Sequence, residues 1–478
     1  MALNKLAPTI TPVEVLECLD RNEAGDADLF VEHNRGRTVY DHSEDAWYLW
    51  RGNFWEKDSL DEVFLSVINW VASRYIQQAA FERQNGASND LIKALIKRAY
   101  DLRAKNRVER VLYLAARDPD IGITGKEWDA NPFLLGVNNG VVDLKTSEFR
   151  NGRPEDFLRA HAPTDWVSLD EPAKLWEQTL LEIFENDSLM VGFIKRLLGY
   201  CITGSTAEHI LPILHGPQGR NGKSTILETL KVVLGNDFSV SVPADTLMET
   251  RRSGDGPQPF LYSLRGKRLA WASESKEGQK INTGLIKQLT GSDTLNVRTL
   301  HSLPVEFAPT HKVMLMTNHL PHIAPDDQAA WDRVRLIPFL LRFVENPQKP
   351  NERPRNKDLQ QNLIKEASGI LAWLVQGCIE WQAVGLQEPP KVMGATQQYR
   401  DDEDSLKLFF DEKCVLQPTC EVLATDLYKE YVSWCGAYNA DPMKLQTFSK
   451  RIIARFGPSK HKWNGSWYSG IGLILNVP

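Results

Sequence analysis

The stretch "HGPQGRNGKST", residues 215–225, decides how the middle of this chain is read. It places Gly-Lys-Ser after a glycine-rich run, the composition of a loop that closes around phosphate groups. The flanks supply the context that composition lacks. "ILPIL" before it reads as a strand, with Pro212 near its start because proline cannot donate to a ladder. After it Ile226, Leu227, Leu230, Val233 and Leu234 recur at helical spacing, and Gly235 can end the helix. Strand, glycine-rich loop and helix, in that order, are what a phosphate-binding loop requires.

The residue types follow from the chemistry. Glycines let backbone N–H groups close around phosphate oxygens, and a helix N-terminus favours negative charge. On this reading Gly216, Gly219, Asn221, Gly222, Lys223, Ser224 and Thr225 hold the phosphates of ATP. Lys223 reaches the β- and γ-phosphates, and the Ser224 hydroxyl ligates Mg2+. The loop is one residue longer than the usual template, because Gly216 stands seven positions before Lys223 and not six. Either it bulges by one residue or Gly219 takes over part of the role. A glycine-rich surface turn is the alternative to a site.

Two further strands offer partners for such a loop. "KRLAWASES" (267–275) is apolar and ends at Glu274, placed to hold magnesium through water and to polarise the attacking water. An ordinary strand-end acid is the other reading. "KVMLMTNHLP" (312–321) is a second buried strand ending at Asn318, whose amide can hold the lytic water against the γ-phosphate. "AAWDRVRLIPF" (329–339) puts Arg333 and Arg335 just before a third apolar strand, where an arginine can reach the ATP of a neighbouring subunit; a surface salt bridge is the alternative.

Alternation of strands and helices from 207 to 345 makes this an α/β unit with a parallel sheet. At 478 residues, and about 150 per domain, more units are expected around it. Residues 1–125 read as a mixed, mostly helical region, in which "LIKALIKRAYDLRAKNRVERVLYLAAR" (91–117) carries eight Lys/Arg against two acids. That run suits a solvated helix face as well as a DNA-facing one. Residues 126–206 read as a hairpin around Asn139-Gly140 and a helical collar, 346–400 as a helical lid and linker, and 401–478 as a final small unit.

Composition sets outer limits. The 42% apolar content supports a core for each unit, and a net charge of −6 argues against a protein coated in nucleic acid over its whole surface. No apolar run of about 18 residues occurs and the N-terminus lacks a secretory pattern, so a cytoplasmic protein with no membrane partner is expected. The six cysteines are scattered, without metal-binding spacing, and read as reduced thiols.

In order along the chain, "WDANPFLLGVNNGVVDL" (128–144), "FIKRLLGYCITG" (193–204), "GRNGKST" (219–225), "ASES" (272–275), "IKQLTGSDTLNVRTLH" (286–301), "VMLMTNHLP" and "WDRVRLIPF" resemble superfamily 3 helicases of the phage and plasmid primase-helicase type, related to the poxvirus primase-helicase. The resemblance covers residues from about 20 to 478. It implies an AAA+ P-loop core, a homo-hexameric ring, and translocation on single-stranded or forked DNA. It also implies Lys223 and Ser224 as the Walker A pair, Glu274 as the Walker B acid with metal duty, Asn318 as sensor and Arg333 as finger. Glu274 would serve alone, or with Glu277.

Segment 286–301 would be the hairpin that grips DNA in the channel, with Lys287, Arg298 and His301 as contacts; a solvated hairpin is the alternative. Relatives of this type often begin with a primase-polymerase domain. Here the acidic pair Asp26-Ala-Asp28 lacks an apolar strand before it, so no primer synthesis is expected and the primase or initiator would be a separate partner. The final unit reads helix, helix and two short strands around Asn464-Gly465, a winged-helix order. Lys450, Arg451 and Arg455 are its expected DNA contacts, with Trp463, Trp467 and Tyr468 interleaved. The function expected is an ATP-dependent replicative helicase of a phage, prophage or plasmid-like element in a bacterial cell. The alternatives are a DNA-stimulated ATPase remodeller and an origin-binding initiator that uses ATP as an assembly switch.

Overall fold

The computed structural model describes residues 10–249, 259–273, 276–297, 305–438 and 442–474. The N-terminal part opens with two helices, Pro12–Asp20 and Asn22–Asn34, the first capped by a Thr11/Glu14 capping box. Strands Thr38–Asp41, Ala46–Trp50 and Trp55–Lys57 then form an antiparallel meander, which Gly122–Ile123 joins in parallel. Helices Ala72–Gln84, Asn89–Asp101 and Lys105–Ala115 bury Tyr75, Leu95, Val108 and Val111 against the opening pair.

A hairpin follows, Leu134–Val137 against Gly140–Asp143, in which Val137 pairs with Gly140. Its turn is therefore Asn138-Asn139, one residue earlier than the Asn139-Gly140 expected. Gly140 opens the return strand because a Cβ there would lie 2.6 Å from the Arg150 carbonyl oxygen. Helices Lys174–Ile183 and Ser188–Cys201 come next, and the second crosses Ala367–Val384 at close range. A Cβ on Gly199 would meet Gly377 at 2.2 Å, so the two glycines set the depth of that crossing.

The central sheet has five parallel strands: β1 (Leu211–His215), β2 (Ser239–Pro243), β3 (Leu269–Ser273), β4 (Lys312–Thr317) and β5 (Val334–Pro338). Their spatial order is β5-β1-β4-β3-β2. Pairing of β1 with β4 begins at Ile213, so Pro212 falls outside that ladder, as its missing N–H demands. Helix α1 (Lys223–Phe238) follows β1, and its helical backbone breaks at Gly235 (φ 71°, ψ 177°). Leu227, Leu230 and Leu234 of α1 are buried in one core with the collar helices and Ala367–Val384.

Two buried cations fasten the collar to the amino end of the sheet. Arg268, just before β3, donates to the carbonyl oxygens of Ile202 and Leu134, both at 2.5 Å, and Lys312, the first residue of β4, donates to that of Thr203. Burial lowers their pKa values, to about 10 and about 7. A last unit comprises helices Ser405–Lys413, Ala424–Ala437 and Leu445–Phe456 and the antiparallel strands Glu421–Leu423, Gly465–Ser469 and Lys460–Lys462. Among the described residues no helix is long and apolar enough to cross a membrane.

Candidate functional site

The glycine-rich loop leaves the carboxyl end of β1, where parallel sheets of this kind bind ligands. Within it Arg220 has a φ of 66°, in the left-handed region, where an extra residue can be taken up as a bulge. The Arg220 carbonyl accepts from Phe343 N at 2.7 Å, which pins the bulge to the chain beyond β5. Gly216 is fixed by crowding. A Cβ there would stand 1.9 Å from Asn221 Nδ2 and 2.8 Å from the Phe339 carbonyl oxygen. Asn221 is buried and donates to the Gln218 carbonyl at 2.7 Å, so it braces the loop from inside. Gly219 has open space where its Cβ would be. Gly222, at φ 89°, is the N-cap of α1 without a side-chain cap, and it packs against Ile183 of the collar. The first-turn N–H groups of α1 are thus left for an anion.

These differences give a direct test. Gly216→Ala is expected to displace Asn221 and to weaken nucleotide binding by at least tenfold, whereas Gly219→Ala leaves it within about twofold, as titration with a fluorescent ATP analogue would read. Equal effects would mean that Gly219 shares the role.

Lys223 is the first residue of α1 and only 5% exposed. Its Nζ donates to Asn318 Oδ1 at 2.9 Å and to the Gly216 carbonyl at 3.4 Å. Asn318 is the residue after β4, the strand beside β1, so the sheet itself brings the two together. Its loop is held by Thr317, whose Oγ1 accepts from His319 N at 3.0 Å. Burial lowers the Lys223 pKa to about 8. Ser224 is exposed beside it, its Oγ 3.7 Å from Met316 Sδ. Sequence reasoning gave no role to His215, which ends β1 next to the pair. Burial lowers its pKa, a backbone hydrogen bond at Asn318 opposes this, and the Lys223 charge adds to the lowering. Its position just before the loop was the only signal.

Glu274 follows β3 directly but lies outside the described residues, as do Arg298 and His301. Glu277 is exposed on the turn after β3. Lys223, Ser224 and Asn318 therefore form the described part of the site, and a lysine, a hydroxyl and a free helix N-terminus suit a triphosphate with its magnesium.

The other candidates sit elsewhere. Arg333 precedes β5 at the amino end of the sheet, where its carbonyl accepts from Leu211 N. The loop leaves the opposite end of β1, about 16 Å along the strand. Arg333 Nε donates to Thr290 Oγ1 at 3.0 Å and Nη1 to the Ala329 carbonyl at 2.7 Å, while Arg335 is ion-paired with Glu388. Lys287, on helix α2 (Thr283–Thr290), is ion-paired with Asp327 at 2.8 Å. On Leu445–Phe456, Arg451 pairs with Asp326 at 2.8 Å and Arg455 with Asp404 at 3.3 Å, and Lys450 is exposed.

Asp26, read as half of an acidic pair, is fully buried. It accepts from Tyr75 at 2.8 Å and is ion-paired with Arg98 at 3.0 Å and Arg107 at 2.6 Å. Asp28 pairs with Arg21. Among the described residues no cluster of three or more His, Cys, Asp or Glu side chains could hold a metal ion.

Comparison with known proteins adds family context. Residues 27–185 match the family described as "D5 N terminal like", and residues 214–333 match a family of unknown function, DUF5906. The chain is 29% identical over 417 residues to "Putative helicase L207/L206" of Acanthamoeba polyphaga mimivirus, a match covering 81% of this chain and 43% of that protein. It is 26% identical over 383 residues to "Putative helicase 022R" of Frog virus 3, covering 65% and 39%, and 22% identical over 332 residues to "Putative primase C962R" of African swine fever virus, covering 66% and 34%. The chain thus spans less than half the length of these relatives, and they come from viruses, where the sequence led us to expect a phage or plasmid-like element. Its backbone is similar to the apo structure of the NrS-1 C-terminal region at TM-score 0.47 and 12% identity, over 91% of this chain and 96% of that one. The D5-like match and the relatives named as helicases and primases thus place the chain's likenesses among primase-helicase proteins.

Proposed function

We propose that this chain is an ATP- and Mg2+-dependent DNA helicase of the superfamily 3 AAA+ type, which assembles as a ring and translocates on single-stranded DNA to open forked duplex during replication of a virus-, phage- or plasmid-like element. The observation that carries the proposal is the contact between Lys223 and Asn318 at the carboxyl ends of adjacent parallel strands. A lysine at a free helix N-terminus meets the phosphates there, and an amide on the neighbouring strand is within reach of the water that attacks them. Ser224 would ligate magnesium, which supplies charge neutralisation at the transferring phosphoryl group. Glu274, next in sequence after β3, would orient and deprotonate the lytic water. Arg333, at the far end of the sheet, could serve only the site of another copy. The relatives' names, helicase and primase, agree with a motor acting on DNA.

The test is ATP hydrolysis by the wild-type chain with and without single-stranded DNA, with a forked duplex in the same tubes. DNA-stimulated hydrolysis with strand displacement is the expected result. Hydrolysis without displacement would replace the helicase by a remodeller, sequence-selective duplex binding without displacement would favour the initiator, and no hydrolysis would sink the reading.

A further inference from the structure

The final unit's helix Leu445–Phe456 does not present its arginines freely to a partner. Arg451, its side chain 19% exposed, pairs with Asp326 on the turn that leads to Arg333, and Arg455 pairs with Asp404, the N-cap of Ser405–Lys413. The first charge ties this unit to the ATPase unit, and the second is used inside the unit. The hairpin Lys460–Lys462/Gly465–Ser469 has the opposite character. Lys462 pairs with Gly465, so the turn is Trp463-Asn464, and Trp463 is 97% exposed at its tip.

The rest of the hairpin is built to hold that indole out. Tyr468 is buried in the unit's core with Leu427, Tyr431 and Ile452. Trp467 donates from Nε1 to Asn464 Oδ1 at 2.8 Å, which fixes the turn, and Lys462 Nζ lies 5.0 Å from its ring centroid. Glu421 takes the charge of Lys462 as an ion-pair partner. Lys460 and His461 are exposed on the strand that enters the turn, and the chain from Lys444 to its end contains no acid.

We propose that this hairpin, with Trp463 at its tip and Lys460 at its base, is a contact for single-stranded DNA, in which the indole stacks on an unpaired base and the lysine meets the adjoining phosphate. A flat, exposed aromatic ring at the tip, with the exposed Lys460 on the strand that leads to it, offers a base its π-face and a polyanion a counter-charge. Helix Leu445–Phe456 then serves as a latch to the ATPase unit through Arg451, while Arg455 ties it to helix Ser405–Lys413 of its own unit. The choice of DNA as partner rests on the motor proposed above.

Anisotropy of a labelled oligo-dT of about 30 nucleotides, and of a blunt duplex of the same length, read without nucleotide, tests this. Trp463→Ala is expected to bind the single strand about 5- to 150-fold more weakly, as loss of one stacked base implies. Trp463→Phe should keep most of the affinity, and Lys460→Gln should reduce the salt slope by about one. Basal hydrolysis and thermal stability should not change in any of them.

Undiminished binding by Trp463→Ala would overturn the assignment. So would an equal loss on blunt duplex, or a loss accompanied by a lower melting temperature. Strand displacement by a Trp463→Ala chain with intact DNA affinity would remove the hairpin contact and leave the motor standing. Trp463-dependent binding by a wild-type chain that hydrolyses nothing would do the reverse.

Discussion

Lys223→Ala is expected to lower ATP turnover by about 10³-fold or more, comparable to the loss of other cationic groups that stabilise phosphoryl-transfer charge. Asn318→Ala should cost about 10²- to 10³-fold in kcat, with ATP binding largely kept, because an amide that positions water acts mainly in the transition state. The two side chains touch at 2.9 Å, so the double variant should be no worse than the lysine variant alone; additive losses would mean independent roles. The same lysine gives a pH signature. In the folded chain burial holds its pKa at about 8, down from 10.5. The unfolded chain therefore keeps a proton that the folded chain releases above about pH 8. The cost of burying the charge is fully present below that pH and is relieved as pH rises towards 10.5. Triphosphate beside Nζ favours the charged form. Near pH 9 ATP binding should thus take up a proton, seen by calorimetry in buffers of different protonation enthalpy and absent from Lys223→Ala.

Asp26→Ala is expected to destabilise the N-terminal unit by about 3–5 kcal/mol, because it strands two guanidinium groups that the carboxylate neutralises inside the fold. Urea denaturation would measure it. Arg98 is also tied to the Leu19 and Asn22 carbonyls, and Arg107 to the Asn22 side chain, so neither can easily swing out to water. A change under about 1 kcal/mol would show that it can. Manganese binding by the chain should be the same with and without Asp26, since the carboxylate oxygens are engaged by protein donors; a loss of bound manganese in the variant would show that this carboxylate can hold a metal after all.

How far the sequence could be read depended on the range of the interactions. The loop and its lysine were legible because their chemistry is written in eleven consecutive residues. The Asn-Gly pairs marked both hairpins, yet each turn falls one residue earlier, at Asn138-Asn139 and at Trp463-Asn464. Glycine there serves the return strand: Gly140 for lack of space against Arg150, Gly465 for its φ of 131°. Spacing alone left the place of the extra loop residue open, since the Arg220 bulge is held by Phe343, far along the chain. Partner choice was illegible for the same reason. Asp26 finds Arg98 and Arg107, Lys287 finds Asp327, and Arg451 finds Asp326 only once the chain has folded. A local window shows the charge and hides its counter-charge.

The position of Arg333 has a consequence for symmetry. If Arg333 acts as the proposed finger, the central sheet has a giving end, with the arginine before β5, and a receiving end, with the loop after β1. Copies that serve one another's ATP must then meet through unlike surfaces, giving end to receiving end. A two-fold pair, which joins like to like, cannot satisfy both surfaces at once. On the proposed finger role, assembly of working sites would be directional: it would close into a ring when the rotation per copy permits and otherwise run on as a filament.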